Sequence, residues 1–447
     1  MGQGVQQGDI RTSGNVHPFP VRHRLSWLSD IHFAFRVDNY PHLAAAYGPA
    51  VAHTAVETTR RVLADLFGDG GLVMRDGDGL ISAFLWDPSV LGPGPVDRGC
   101  ARLIQAVAES LASQPVHAEC QAVHVSISGA WSTPEAEAPK TVRVGQAGGA
   151  EAALARLPVH GMGPTDPHWA RRFRCDMADA VDLFAMLRAG RVRCAWQAVR
   201  SVDGAVLFQQ SQLRAAGPVE DYAAPPKLVP ALERLGLIQA FDQHIVNQVV
   251  AELEAYPWVT LAVSVSALSA TLDGWWLRPL ERLRRRPDVA RRLIVEINTT
   301  APFPCAREAA AFAAHLHQLG CRIATDGFGA GRASIRQLLD IQPDIVKIDP
   351  LFLQRAPLSV ADLRTFRHVV GLAGALAPVV VAGGAESDRL IKIAQDGGAF
   401  WLQGAAVSGA MIPRPWLSRR VPRRKQVSRH DRDACACSAS DRGEGAS

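Results

Sequence analysis

Polar residues stand at or just beyond the ends of several short apolar runs in the second half of the chain: Glu296, Asp326, Lys347, Asp349 and Gln403. Charged residues seldom end buried apolar strands without a partner. If the runs are parallel strands of one barrel, their carboxyl ends converge on a single mouth, where such barrels bind ligands. A structural hydrogen bond or ion pair would explain any one of these residues, but the whole set favours a ligand site.

The elements that must position this site lie between residues 194 and 413. Short runs rich in valine and isoleucine recur there, namely 261–266, 293–297, 322–325, 344–348 and 378–382. Segments of helical length separate them, and two of these, 241–253 and 306–319, carry the apolar stripe of an amphipathic helix. Continuous apolar strands with intervening helices are typical of a parallel sheet covered by helices. We therefore predict an α/β fold for this half of the chain.

The order of the motifs in this half resembles the EAL family, whose active members hydrolyse cyclic di-GMP. The most specific match is G-C-R-I-A-T-D-G-F-G-A-G at 320–331, followed by Q-P-D-I-V-K-I-D at 342–349. The other matching segments, in the family's order, are 197–199, 263–266, 295–298, 380–386 and 402–404. This resemblance implies a (β/α)8-like barrel over residues 190–416.

An active member of the family holds two divalent cations with several carboxylates and an amide, and the metals lower the pKa of a bound water. Oxygen-rich ligands of this kind suit Mg²⁺ or Mn²⁺. Four positions of the family pattern carry uncharged replacements in this chain: Gln210, Ser264, Gly327 and Gly383. The remnants of the catalytic and metal-binding set are Glu296, Asp326 and Lys347. We therefore expect no intact catalytic set and no bound cofactor.

Ligand binding is a separate question from hydrolysis. The resemblance places Gln197, Arg214 and Asp349 where family members approach the nucleotide or support the site. Arg214 could make a bidentate contact to a phosphate or a guanine. Against this, Gln212 replaces an apolar residue of the name-giving motif and removes a surface on which a base could pack. The full candidate ligand-binding set is Gln197, Arg214, Glu296, Asp326, Lys347, Asp349 and Gln403.

Residues 25–131 carry a weaker resemblance, to the GGDEF (diguanylate cyclase) domain. The matching segments are 33–40, 46–48, 75–81 and 123–128. Arg36 stands where a metal-binding aspartate belongs, and Leu80 where the motif's acidic residue belongs. Because D-G-D-G at 76–79 is also a generic turn signal, the hairpin by itself has a simpler explanation. The resemblance implies a smaller ferredoxin-like α/β domain without cyclase activity.

Composition divides the rest of the 447 residues. We expect a flexible leader at 1–24, a linker at 132–189 with room for short helices such as 150–157, and a basic, disordered tail at 417–447. Cys435 and Cys437 in that tail could bind a metal, but a bystander role is the simpler interpretation. The net charge of +5 is small for this length and does not by itself indicate a nucleic-acid partner.

The sequence also bears on location. No stretch approaches the roughly 18 uninterrupted apolar residues of a membrane span. The first 20 residues lack the apolar core of a signal peptide, and the eight cysteines form no C-x-x-C pair. These features predict a cytoplasmic protein, and the resemblance to the EAL family implies a bacterial signalling protein.

Three functional hypotheses remain open. The leading one is a degenerate EAL protein that acts as a cyclic di-GMP receptor or as a signalling and interaction module. The second is a cyclic-guanylate-specific phosphodiesterase with an altered, weakened Mg²⁺ or Mn²⁺ site. The third is a pure protein-interaction scaffold that binds no nucleotide. We expect a protein partner, but the sequence does not identify it. The formation of a homodimer is also an open alternative.

Overall fold

The computed structural model of the chain describes residues 31–133, 140–141, 168–215, 222–223 and 227–417. The expected leader at 1–24, the helix at 150–157 and the tail beyond residue 417 lie outside these ranges.

The N-terminal unit is built on an antiparallel sheet of five strands in the order β2-β3-β1-β6-β7. Its strands are β1 Ile31–Val37, β2 Gly71–Arg75, β3 Leu80–Leu85, β6 Ile127–Ser132 and β7 Lys140–Thr141. The hairpin β4 Val116–Ala118 and β5 Gln121–Val123 forms a separate small sheet. The helices of this unit are α1 Tyr40–Tyr47, α2 Pro49–Phe67 and α3 Val96–Ser113. Apolar residues of these helices pack with Phe33 and Phe35 of the central strand in one buried core.

A single long helix, α4 Trp169–Arg188, occupies much of the segment that we expected to be a linker with short helices. Its buried stripe recurs every three or four residues, through Trp169, Phe173, Met177 and Ala180. Phe173 stacks on Trp169 and on His42 of α1, and the ring of Trp169 contacts His42 at a tilt. The helix is long because this stripe packs against the N-terminal unit, which composition alone could not show.

Eight strands close the C-terminal half into a barrel. They are β8 Val192–Ser201, β9 Val206–Ala215, β11 Leu261–Ser266, β12 Leu293–Asn298, β13 Arg322–Phe328, β14 Ile345–Ile348, β15 Val379–Gly383 and β16 Trp401–Gln403. From β9 through β16 all neighbours are parallel, whereas β8 runs antiparallel to both β9 and β16 and so closes the ring. The short strand β10 Tyr222–Ala223 pairs with β9 outside the ring. The predicted α/β barrel is therefore confirmed.

Helices cover the outside of the barrel. They are α5 Leu228–Leu235, α6 Ile238–Ala255, α7 Leu277–Arg285, α8 Pro287–Ala290, α9 Ala306–Gln318, α10 Ile335–Ile341, α11 Pro350–Arg355, α12 Val360–Leu376 and α13 Asp388–Asp396. The core of the barrel half is continuous with that of the N-terminal unit, because one cluster of buried apolar residues includes members of both.

The barrel interior is filled at one end by a layer of apolar side chains, one from each of seven strands: Val199, Phe208, Ala262, Ile294, Ala324, Ile345 and Val381. Successive side chains of a strand alternate between its two faces. The residue two positions further along each parallel strand therefore also points into the barrel, closer to the carboxyl ends. These positions include Gln210, Ser264, Glu296, Asp326 and Lys347.

Gly404 directly follows β16, and a side chain at this position would change how the last strand ends. A Cβ atom added here would overlap the backbone of Ala385. We expect Gly404→Ala to lower the free energy of unfolding by about 1–3 kcal/mol, because backbone atoms cannot move aside as a flexible side chain can. Urea denaturation followed by tryptophan fluorescence measures this loss.

The matched control is Gly409→Ala, because a Cβ atom at Gly409 meets nothing within 4 Å. We expect this variant to stay within about 0.5 kcal/mol of the unmodified chain. Equal losses in the two variants would contradict the close approach of Gly404 and Ala385.

Candidate functional site

The carboxylate of Glu296 lies at the centre of the barrel and is fully buried. Its Oε1 atom accepts hydrogen bonds from Gln210 Nε2 at 2.5 Å and Ser264 Oγ at 2.7 Å, and lies 2.9 Å from Lys347 Nζ. Its Oε2 atom is buried and has no hydrogen-bond partner among the residues that the structure describes. Three donors on one oxygen are what a buried carboxylate requires, since an uncompensated charge there would be very costly.

Lys347 provides the positive charge of the site, and its side chain is 4% exposed. Besides contacting Glu296, its ammonium lies 3.5 Å from Asp326 Oδ2 and donates to Gln210 Oε1 at 3.2 Å. Burial alone would lower the pKa of Lys347, but the carboxylates of Asp326 and Glu296 outweigh it and leave that pKa above its usual value. Burial raises the pKa of Glu296, and Lys347 opposes that shift. Two carboxylates therefore share one permanent cation.

Gln210 uses both ends of its amide in this network. Its NH₂ group donates to Glu296 and, at 3.1 Å, to Ser264 Oγ. Its carbonyl oxygen accepts from Lys347 and from Gln403 Nε2. An amide can donate and accept at once, whereas an ionised carboxylate can only accept. The network as it stands therefore requires glutamine rather than glutamate at this position.

A chain of amides carries the network toward the rim of the barrel. Gln403 Nε2 donates to Gln197 Oε1 at 3.0 Å, and Gln197 Nε2 donates to the Ser408 carbonyl at 2.9 Å. Gln212 Nε2 also donates to Gln197 Oε1. Seven of the eight barrel strands thus contribute to one connected set of polar contacts, and β9 contributes both Gln210 and Gln212. The members on the other six strands are Gln197, Ser264, Glu296, Asp326, Lys347 and Gln403.

The remaining strand, β15, contributes Gly383, which pairs in register with Gln403. A Cβ atom added at Gly383 would lie 3.0 Å from the Ile348 carbonyl oxygen and 3.2 Å from Pro350 Cγ. On β13, Asp326 is followed by Gly327, whose φ of +79° lies in the left-handed region that favours glycine. At both positions the local backbone is therefore adapted to the absence of a side chain.

The structure brings together five residues of the candidate set: Gln197, Glu296, Asp326, Lys347 and Gln403. It places the other two elsewhere in the mouth. Arg214 donates to the Leu213 carbonyl at 2.9 Å and to Gln212 Oε1 at 3.2 Å. Among the described residues it therefore meets the network through Gln212. Asp349 caps α11 by accepting from the Leu351 amide at 2.8 Å.

Sequence reasoning treated Gln210 and Ser264 as losses, yet both are structural members of the site. The signal that could have found them is the alternation along the strands, because each lies two residues after an interior apolar residue, Phe208 or Ala262. This alternation does not show which hydrogen-bond partner each side chain has.

Glu296 and Asp326 are the carboxylates of the mouth that could contact a metal ion, and Lys347 contacts both. Nowhere in the described ranges do three or more histidine, cysteine, aspartate or glutamate side chains form a group that could hold a metal. Within those same ranges, every helix is too short or too polar to cross a membrane.

Comparisons with known proteins point to one family. Residues 180–410 match the family model of the EAL domain. The chain is 26% identical over 202 residues to the cyclic di-GMP phosphodiesterase PdeF of Escherichia coli. This alignment covers 44% of this chain and 27% of PdeF. It is also 26% identical over 202 residues to the cyclic di-GMP phosphodiesterase PdeL of E. coli. That alignment covers 44% of this chain and 56% of PdeL. The match therefore spans only about a quarter to a little over half of these relatives.

Solved structures with a similar fold include the S helix-GGDEF-EAL portion of Vibrio cholerae LapD without ligand, which is 14% identical. The likeness covers 85% of this chain and 89% of that one, with a TM-score of 0.48. The PaMucR phosphodiesterase in complex with c-di-GMP is 22% identical, covers 53% of this chain and 98% of that one, and has a TM-score of 0.47.

Removing the ammonium of Lys347 tests whether it compensates Glu296. We expect Lys347→Met to lower the free energy of unfolding by about 3–5 kcal/mol, because it leaves a buried carboxylate without its cation. Lys392→Met is the control, since Lys392 pairs with Asp396 on the exposed surface of α13. Chemical denaturation should show little change in the control. A loss of the same size in both variants would contradict the role of Lys347.

The need for an amide at position 210 gives a second test. Gln210→Glu replaces a donor to Glu296 with an acceptor, so we expect a loss of about 1–3 kcal/mol in unfolding free energy. The loss should be larger near pH 8 than near pH 5, because the introduced carboxyl can donate only while it is protonated.

The matched control for that variant is Gln337→Glu. Gln337 Oε1 accepts from the Ser334 amide at 2.8 Å in the cap of α10, and a carboxylate can accept equally well there. Denaturation at both pH values should separate the two variants. If Gln210→Glu left the free energy of unfolding unchanged, the NH₂ group of Gln210 would not be required as a donor.

Proposed function

The chain belongs to the EAL-domain family, and on that premise we propose that it binds cyclic di-GMP at the mouth of its barrel without hydrolysing it. The observation that carries the proposal is that donors of the chain itself already surround Glu296. Lys347, Gln210 and Ser264 converge on its Oε1 atom. Gln210 and Ser264 stand where the resemblance places two metal ligands of a hydrolytic member, a glutamate and an asparagine, whereas Lys347 matches a lysine that such a member keeps.

The charge of the mouth argues against a pair of metal ions. Two dications need several carboxylates to hold them close together. Here Glu296 and Asp326 are both engaged by Lys347, so little negative charge is left for a metal. Gln210 and Ser264 offer only neutral oxygens, and Gly383 and Gly327 offer no side chain. The residues present therefore fit a two-metal centre poorly, and we derive no hydrolytic step from them.

Binding of the nucleotide depends on groups near the rim. Arg214 lies at the end of β9 with its side chain partly exposed, and its guanidinium contacts only neutral oxygens among the bonds described above. A guanidinium has five N–H donors, and the bonds to Leu213 and Gln212 are made by two of them within the part of the chain that the structure describes. A phosphate or a guanine edge suits the remaining donors. The relatives PdeF and PdeL carry cyclic di-GMP in their names, and this supports that ligand class for the chain.

A phosphodiesterase with an altered one-metal site is the second candidate. The unpartnered Oε2 atom of Glu296 favours it, because a cation there would satisfy that oxygen. Such a site would use Glu296 and Asp326, with Lys347 near the attacking water. It predicts that purified protein releases product with Mg²⁺ or Mn²⁺ and that Asp326→Ala abolishes the release.

For the N-terminal unit we propose a GGDEF-like domain without cyclase activity. Its antiparallel sheet and three helices are compatible with the ferredoxin-like architecture that the resemblance implied. Arg36, in place of a metal-binding aspartate, forms an ion pair with Asp38 at 2.7 Å. In this pairing the carboxylate of Asp38 would serve a structural contact. We propose that this domain spans residues 25–131 and that the EAL-like barrel spans residues 190–416.

Calorimetric titration of cyclic di-GMP into the full chain, with and without Mg²⁺, tests the proposed function. We expect micromolar binding, about −8 kcal/mol, that does not depend on the metal and yields no product by chromatography. Arg214→Met should weaken it about tenfold or more, because a charged donor to the ligand is lost.

Arg285→Met is the matched control, because Arg285 pairs with Glu281 on the exposed surface of α7. It should bind like the unmodified chain. Product release with Mg²⁺ or Mn²⁺ would replace the receptor with the phosphodiesterase. Absence of heat from a folded chain would leave an interaction scaffold that binds no nucleotide.

A further inference from the structure

The amino end of the barrel, opposite the mouth, carries an arginine-rich surface. Residues 278–292 form most of α7 and all of α8 and lead into β12. They hold seven arginines, two carboxylates and neither lysine nor histidine, so the net charge of this stretch is +5. The whole chain of 447 residues has the same net charge. Such a concentration of one sign of charge creates a local positive potential that attracts anionic partners.

Carboxylates neutralise only part of this charge. Arg284, in the last turn of α7, and Arg291, which follows α8, are both exposed. Neither forms an ion pair with a residue that the structure describes. The other five arginines share four carboxylates: Glu109 for Arg278, Glu254 for Arg282, Glu281 for Arg285, and Asp288 for both Arg286 and Arg292. Positive charge therefore remains in excess on this surface.

An exposed tryptophan lies at the same end of the barrel. Trp258 is 52% exposed and lies in the loop that leads into β11, whereas Arg291 lies two residues before β12. These two strands are neighbours and begin in register. Arg292 fastens the tryptophan loop to the end of α8, because it donates to the carbonyls of Tyr256 at 3.1 Å and Val259 at 3.2 Å. Trp258 is therefore held beside the arginine-rich stretch.

The last described residues of the chain join this surface through Tyr256. The guanidinium of Arg414 lies 5.6 Å from the centre of the Tyr256 ring, and the ring of Trp416 meets Tyr256 edge to face at 5.8 Å. Leu417 follows and is 47% exposed. The chain therefore leaves the described structure beside Trp258. Its next eight residues include five more cations: Arg419, Arg420, Arg423, Arg424 and Lys425.

We propose that this basic face, defined by Trp258, Arg284, Arg291 and Leu417, binds the surface of an anionic phospholipid bilayer. The guanidiniums donate to lipid phosphates, and the indole ring lies among the headgroups, where tryptophan is favoured. The exposed apolar side chains favour lipid over nucleic acid, because Leu417 gains burial at a bilayer surface and meets only charge on a phosphate backbone. The barrel mouth lies at the other end and stays open to its ligand.

Co-sedimentation of the full chain with unilamellar vesicles tests this proposal. One set of vesicles contains phosphatidylcholine alone, and the other contains phosphatidylcholine and phosphatidylserine at roughly two to one. We expect binding to the mixed vesicles alone, and a loss of binding as salt is raised, because salt screens exposed charges. The double variant Arg284→Gln with Arg291→Gln should weaken binding about tenfold or more, because two cations near the lipid surface are lost.

The matched control is Arg364→Gln with Arg367→Gln. It removes the same charge from exposed positions of α12, which packs on β14 and β15, and should bind like the unmodified chain. Trp258→Ser changes no charge and should weaken binding about fivefold, because the ring that enters the headgroup region is lost.

Three results would overturn the proposal. The first is equal sedimentation with neutral and mixed vesicles. The second is a loss in the Arg284 and Arg291 double variant no greater than in the control. The third is tighter binding to a duplex DNA oligonucleotide than to the mixed vesicles, which would assign the basic face to nucleic acid. Because both arginines are exposed and unpaired within the described ranges, their replacement leaves the fold intact, and circular dichroism checks this.

Discussion

Burial of the Glu296 carboxylate at the centre of the barrel is the constraint on which the rest of the mouth depends. A charge removed from water must be met by an opposite charge and by donors, or the fold does not tolerate it. Lys347 supplies the charge, and Gln210 and Ser264 supply the donors. The uncharged residues at positions 210 and 264 therefore stabilise the buried acid, because both donate hydrogen bonds to its Oε1 atom.

The same constraint explains why the amides form a chain. Once Gln210 donates toward Glu296, its carbonyl oxygen is free to accept, and Lys347 and Gln403 both donate to it. Gln403 then connects to Gln197 and so to the rim. A change at any one of these positions alters the partners available to the next, so the mouth behaves as one polar unit.

The N-terminal unit and the barrel are linked in a comparable way, by apolar packing first and by polar contacts second. The stripe of α4 packs against the N-terminal unit, and Asp176 of α4 pairs with Arg234 of α5 at 2.8 Å. Glu109 of α3 accepts from Gln243 Nε2 of α6 at 2.7 Å and lies 3.1 Å from Arg278 Nη1 of α7.

The sequence by itself determined an α/β fold for this half of the chain, because apolar runs with helical segments between them are a local pattern. The order of the motifs resembled the EAL family, and that resemblance implied the barrel. The sequence also placed Glu296, Asp326 and Lys347 at strand ends that had to converge. Only the tertiary structure decided which atoms meet. Gln210 and Glu296 are 86 positions apart, and Gln210 and Lys347 are 137 apart. The length of α4 was likewise decided by its packing on the N-terminal unit. Hydrogen-bond partners across a barrel depend on register and closure, which no local pattern encodes.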